Sequence, residues 1–127
     1  MTTAKDILVI DDDPDIIEHC KVVLKPQGYQ VREATSAEEG EAALRSQRPD
    51  LVILDIMMES PESGFQLAEI IARDFTGLPV ILFSSIANAS MQVFDTSTLP
   101  VAAIIEKPVD PQGLLSIVGK ILKGDTP

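Results

Sequence analysis

The stretch ILVIDDDPDI, residues 7–16, sets four apolar residues directly against Asp11, Asp12 and Asp13 and then, after one proline, Asp15. Residues 7–10 are apolar throughout and rich in β-branched side chains, as in a strand covered on both faces. Asp13 before Pro14 fits a helix N-cap followed by the first helical residue, and Asp15 is a first-turn carboxylate favoured by the helix dipole. A strand, an acidic turn and a helix start thus follow one another within ten residues.

The rest of the chain repeats that βα unit. Short apolar runs recur at residues 29–34, 51–54, 80–83 and 102–105. The first of these is interrupted by Gln30, Arg32 and Glu33, which predicts a strand at a sheet edge. Between the strands the period becomes helical: Ile16, Cys20, Val23 and Leu24 share one face, and Phe65, Ala68, Ile71, Ala72 and Phe75 another. Leu114, Leu115, Val118, Ile121 and Leu122 form a third such face. Residues 37–45 give a weaker helix containing Gly40, residues 88–96 the weakest, and Gly28 and Gly77 punctuate loops. Five βα units in alternation predict an α/β domain, a doubly wound five-stranded parallel sheet with helices on both faces.

Composition narrows the function. A chain of 127 residues, 45% apolar, with no Trp, one Tyr and four Phe, has room for one aliphatic core. Its formal charge of -10 argues against direct nucleic-acid binding, where Lys and Arg must neutralise phosphates. Cys20 is the only cysteine, so an internal disulfide or a cysteine-cluster metal site is excluded, which suits a reducing compartment. The N-terminal MTTAKD lacks an apolar signal region, and no apolar run approaches the roughly 18 residues of a spanning helix. The expectation is a cytoplasmic protein without membrane insertion, with residues 1–124 as one domain and 125–127 as a tail.

In doubly wound sheets ligands bind beyond the carboxyl ends of the strands. Asp11 and Asp12 follow the first strand, Asp55 the third, Ser84 the fourth and Lys107 the fifth, so the five should converge on one edge. Three close carboxylates stay ionised together when a cation compensates them, and a hard ion with oxygen ligands such as Mg²⁺ is the natural one. With Asp12 and Asp55 as ligands and Asp11 acting through water, Asp55 becomes a candidate nucleophile for a phosphoryl group. Lys107 would supply a second cation and Ser84 a hydroxyl donor. His19, the only histidine, has no orienting partner in its own stretch, and Cys20 falls on an apolar helix face; neither is assigned chemistry.

Taken in order, ILVIDDDP, DLVILDIMM, PVILFSS and IIEKP make the chain resemble the receiver domains of bacterial two-component response regulators, of chemotaxis (CheY-like) type. That resemblance implies the strand order 2-1-3-4-5. It makes Asp55 the phosphoacceptor, Asp11 and Asp12 the acidic pair with Asp12 the direct Mg²⁺ ligand, and Met57 a ligand through its backbone carbonyl. Ser84 matches the switch hydroxyl and Lys107 the phosphate-pairing lysine, whose bond to Pro108 is usually cis in such domains. The implied cofactor is Mg²⁺, with Mn²⁺ as a substitute. The implied partners are a histidine kinase or phosphotransfer protein, an output protein, and a second copy in a phosphorylation-linked homodimer. A stand-alone receiver and a receiver within a larger regulator or hybrid kinase fit equally well.

Three departures stand out. IMMESPESG places Gly64 one residue later than the common pattern, which implies an insertion in the loop after Asp55. Ile104 occupies the aromatic switch position, so the usual coupling of a hydroxyl shift to an aromatic ring flip cannot operate unchanged, which leaves helix or loop displacement as the output. Met57 and Ile86 replace side chains that would flank the hydrolytic water, which predicts slow self-dephosphorylation; beyond that and self-phosphorylation from small donors, no enzyme turnover is expected. A phosphohydrolase of haloacid-dehalogenase type would need an acid where Met57 stands. A flavodoxin-like nucleotide binder would need a phosphate-cradling loop in place of DDDP. The stronger alternative is a degenerate receiver that binds a protein independently of phosphorylation.

Overall fold

The computed structural model describes residues 4–56, 61–85, 101–107 and 109–123. Its elements run β1 (Asp6–Ile10), α1 (Pro14–Leu24), a 3₁₀ turn (Lys25–Gln27), β2 (Gln30–Ala34), α2 (Ala37–Ser46), β3 (Leu51–Asp55), α3 (Pro61–Asp74), β4 (Val80–Ser85), β5 (Val101–Lys107) and α4 (Pro111–Lys123). The strands form one sheet in the order β2-β1-β3-β4-β5, and every adjacent pair is parallel. The predicted edge position of β2 is therefore observed. The helix expected over residues 88–96, the loop residues Met57 and Met58, and Ile86, Pro108 and the tail at 125–127 lie outside the described residues.

Alternation along the strands splits the core into two layers. Leu8, Ile10, Val52, Leu54, Val80 and Leu82 pack with Leu67, Ala68, Ile71 and Phe75 of the α2–α3 side. Ile7, Val9, Leu51, Ile53, Ile81 and Phe83 pack with Ile17, Cys20, Leu24, Leu114 and Val118 of the α1–α4 side. Both faces of the three central strands are covered, which is why their sequences read as continuous apolar runs rather than alternating ones. Cys20 is buried in this core.

The helix starts follow local chemistry. Asp13 is extended (φ −95°, ψ 110°) and its carboxylate accepts from Asp15 N at 2.9 Å, with Pro14 as the first helical residue. In α2 the Ser36 hydroxyl accepts from Glu39 N at 3.0 Å while Glu39 accepts from Thr35 N at 2.9 Å, a reciprocal capping arrangement. The hydrogen bonds from Thr35, its backbone N–H first and then its hydroxyl, hold the Glu39 carboxyl below its usual value. Gly28 (φ 92°) ends the 3₁₀ turn in the left-handed region that glycine accepts at least cost.

A polar clamp closes the amino end of the sheet, away from the acidic turn. Asp6 opens β1 with its carboxylate buried, and Arg32 of β2 grips it from Nε (3.1 and 3.0 Å) and Nη2 (2.7 Å). Arg32 also donates to the carbonyls of Ala43 and Gln47. Arg32, read from sequence as edge polarity, is thus a bidentate anchor joining β1, β2 and the end of α2. On the exposed side of β2, Glu33 pairs with Lys21 of α1.

Candidate functional site

Backbone pairing carries the acidic residues to one place. Asp11 N donates to Ala34 O at 3.0 Å, extending the β1–β2 ladder one residue past Ile10. The Asp11 carboxylate then accepts from Asp13 N at 2.9 Å, turning the chain toward α1. Asp55 ends β3, and the ladder continues past it because Ile56 N donates to Phe83 O at 3.1 Å. Each of the four aspartates in DDDPD consequently has its own position: Asp11 buried under the ladder, Asp12 exposed above it, Asp13 at the cap and Asp15 in the first turn.

Asp11, Asp12 and Asp55 each offer a carboxylate oxygen, and these oxygens lie within 4.8 Å of one another. Asp11 is 1% and Asp55 3% exposed, against an open Asp12. Two buried carboxylates and one open one make an all-oxygen donor set that suits a hard divalent cation retaining several waters. A divalent ion at this spacing would offset two of the three negative charges at once.

The remaining expected site residues sit along the same sheet edge. Asp55 is opposite Phe83 in the β3–β4 register, so Ser84 lies one residue beyond, buried at 5% exposure. Ser84 and Lys107 were expected just after their strands; both belong to them, Ser84 opposite Glu106 and Lys107 opposite Ser85, as the final residue of β5. The ladders outlast the apolar runs by one or two residues because backbone pairing does not depend on side-chain polarity. Met57 and Ile86 lie outside the described residues, so the structure places Asp11, Asp12, Asp55, Ser84 and the backbone of Lys107 at one edge and adds nothing on the other two. Ile104, at the expected aromatic position, is 48% exposed on β5.

Two features of this edge are absent from the sequence reading. Gly64 of α3 lies so close to the residue after Asp55 that a Cβ there would stand 2.5 Å from Ile56 O and 2.9 Å from its carbonyl carbon. The available signal was a glycine directly before the apolar helical period that begins at Phe65. The second corrects the reading of His19 as unpartnered: its Nε2 is 3.2 Å from Val109 O, across 90 residues of sequence.

The comparisons with known proteins agree with this geometry. The model of the response regulator receiver domain family matches residues 7–119. The nitrogen assimilation regulatory protein NtrX of Azorhizobium caulinodans is 33% identical over 128 residues, taking in 94% of this chain and 26% of that protein. Protein PilH of Pseudomonas aeruginosa is 29% identical over 120 residues, 93% of this chain and 98% of PilH. A CheY-like response regulator receiver domain protein from Methanospirillum hungatei superposes with a TM-score of 0.86 at 30% identity, covering 96% of each chain. The receiver domain of NtrX from Brucella abortus gives 0.84 at 31% identity, over 93% of this chain and 98% of that one. The chain spans about a quarter of the length of the Azorhizobium protein, and 43% of the response regulator GtcR of Aneurinibacillus migulanus.

Proposed function

Because this chain belongs to the response regulator receiver domain family, we propose that it is a phosphorylation-controlled signalling module in which Asp55 accepts a phosphoryl group from a histidine kinase or phosphotransfer protein. The observation that carries the reading is the meeting of Asp11, Asp12 and Asp55 within 4.8 Å at the ends of two parallel strands. In the reaction a carboxylate oxygen of Asp55 attacks phosphorus as the P–N bond of the donor phosphohistidine breaks. The bonding pair stays on the imidazole nitrogen, which takes up a proton, and Asp55 becomes an acyl phosphate.

The chain's part is placement and charge. Asp55 is held by the β3 ladder with its side chain enclosed, which limits the directions from which a donor can approach. Asp11 and Asp12 would hold Mg²⁺, or Mn²⁺ in its place, together with Asp55; when bound, the ion offsets charge on the phosphoryl oxygens. Lys107 is assigned the second positive charge and Ser84 the hydroxyl that donates to a phosphoryl oxygen. The added charge would then shift the population between two conformations of the surface that an output protein reads.

The first experiment is intact-mass measurement after incubation with Mg²⁺ and acetyl phosphate, for wild type and Asp55→Asn. A phosphoryl adduct on wild type alone is the expected result. No adduct on a folded protein that still binds Mg²⁺ would overturn the reading and leave a phosphorylation-independent binding module.

A further inference from the structure

His19 lies on α1 and hydrogen-bonds to Val109, two residues past Lys107 in sequence. Its Nε2 is 3.2 Å from the carbonyl oxygen of Val109. A carbonyl oxygen is an acceptor, so Nε2 carries the proton and the tautomer of the ring is fixed by this contact. Val109 is 8% exposed, and its side chain belongs to the α1–α4 layer of the core. A backbone carbonyl in such a place needs a donor, and the donor comes from a different element.

The described residues on either side of Val109 are tied down. Downstream, the Asp110 carboxylate accepts from Gly113 N at 2.8 Å and its carbonyl from Leu114 N at 2.9 Å, which starts α4. Upstream, Lys107 is the last residue of β5, opposite Ser85. Between these anchors the imidazole of α1 fixes Val109, two residues past the lysine. α1 itself is capped by Asp13, whose amide donates to the Asp11 carboxylate. One helix therefore connects the acidic turn at its start to Val109, two residues past Lys107 in sequence, near its middle.

We infer that His19 is a positioning residue for Lys107, setting through Val109 where the end of β5 stands relative to the Asp11, Asp12 and Asp55 carboxylates. The inference rests on the reading of Lys107 as the phosphoryl-pairing cation. His19 itself touches no reacting atom and exchanges no proton in this role. Errors of about 1 Å in the placement of a charge-pairing group are enough to weaken it severalfold, and the carboxylate cluster is carried by β1 and β3 rather than by the segment at Val109.

That separation defines the test. The whole chain is titrated by calorimetry with Mg²⁺ alone, and then with beryllofluoride, a phosphoryl mimic, in saturating Mg²⁺. Three proteins are compared: wild type, His19→Phe, which keeps a ring and loses the donor, and His19→Gln, which restores an N–H at similar reach. The expected result is unchanged Mg²⁺ affinity in all three, beryllofluoride binding about fivefold weaker in His19→Phe, the size of one hydrogen bond, and recovery in His19→Gln. Should His19→Phe not fold, His19→Asn, polar but one methylene shorter, takes its place with the same expected loss. Equal beryllofluoride affinity in wild type and variant, parallel loss of Mg²⁺ and beryllofluoride binding, or no recovery in His19→Gln overturns the inference. Wild type that binds Mg²⁺ but not beryllofluoride overturns the acceptor reading itself, and this inference with it.

Discussion

At Gly64 a hydrogen atom is all that stands between α3 and the backbone of Ile56. A Cβ would come within 2.5 Å of the Ile56 oxygen, and backbone rather than a flexible side chain would have to yield. Gly64→Ala is therefore expected to destabilise the fold by about 1–3 kcal/mol, read as a lower denaturant midpoint. Ile56 directly follows Asp55, so the displacement reaches the acceptor, and adduct formation with acetyl phosphate is expected to slow in the same variant. An alanine protein of wild-type stability would show that the helix can retreat at no cost. The glycine at 40 serves a related purpose against a softer neighbour, since its Cβ would meet the Ile10 side chain at 2.8 Å. Residues of this kind are poorly legible in sequence, because their constraint lies in a neighbour brought near by folding. Asp11, Asp12 and Asp55 were legible for the opposite reason: acids placed directly after buried strands have few structural explanations. His19 shows the limit, its partner being 90 residues away.

Between elements, α2 and α3 are joined by a charged contact in which Arg45 meets Glu41 at 3.0 Å and Asp74 at 2.9 Å. Arg73 adds a bond to Asp74 at 3.0 Å, and the Arg45 guanidinium lies 5.5 Å from the centre of the Phe75 ring. The Asp74 carboxyl is lowered from 3.8 to about 2, first by the hydrogen bond from Arg73 and then by that from Arg45. The folded protein thus binds this proton more weakly than the unfolded chain does. Its contribution to stability is complete above pH 3.8 and is lost as pH falls through about 2. Asp74→Asn should flatten the stability curve between those limits, checked by denaturant midpoints across the acid range. A curve as steep as wild type would mean that other carboxylates carry the acid response. The effect will be modest, because the pair is open to solvent. Element positions were the most legible part of the sequence, since short β-branched runs and helical periods are strong local signals. Asp6 was left out of β1 because a charged residue at a strand start looks like loop until its arginine is seen across the sheet.

At the scale of the molecule, a formal charge of -10 is distributed over 127 residues, and three of the carboxylates are gathered at one edge of the sheet. Such a gathering opposes folding when nothing compensates it. Asp12→Asn, at the exposed member, is expected to raise the melting temperature in the absence of Mg²⁺ by a few degrees, on the scale of about 4–8 °C per kcal/mol. The same substitution should abolish the rise that Mg²⁺ produces in wild type by binding the folded state. Scanning calorimetry with and without the ion decides it, and an Asp12→Asn protein stabilised by Mg²⁺ as strongly as wild type would remove Asp12 from the donor set. The division of the core into two layers has a wider consequence. No buried residue of the α2–α3 layer is also a member of the α1–α4 layer, so the sheet is a partition, stiff in its plane and opaque to side-chain rearrangement from one side to the other. The carboxyl edge is its open seam: Gly64 presses on it from one layer through Ile56, and His19 holds it from the other through Val109. Disturbance of either layer can thus meet the other at the place where a phosphoryl group would sit, so a small local charge there can address both sides of the molecule at once.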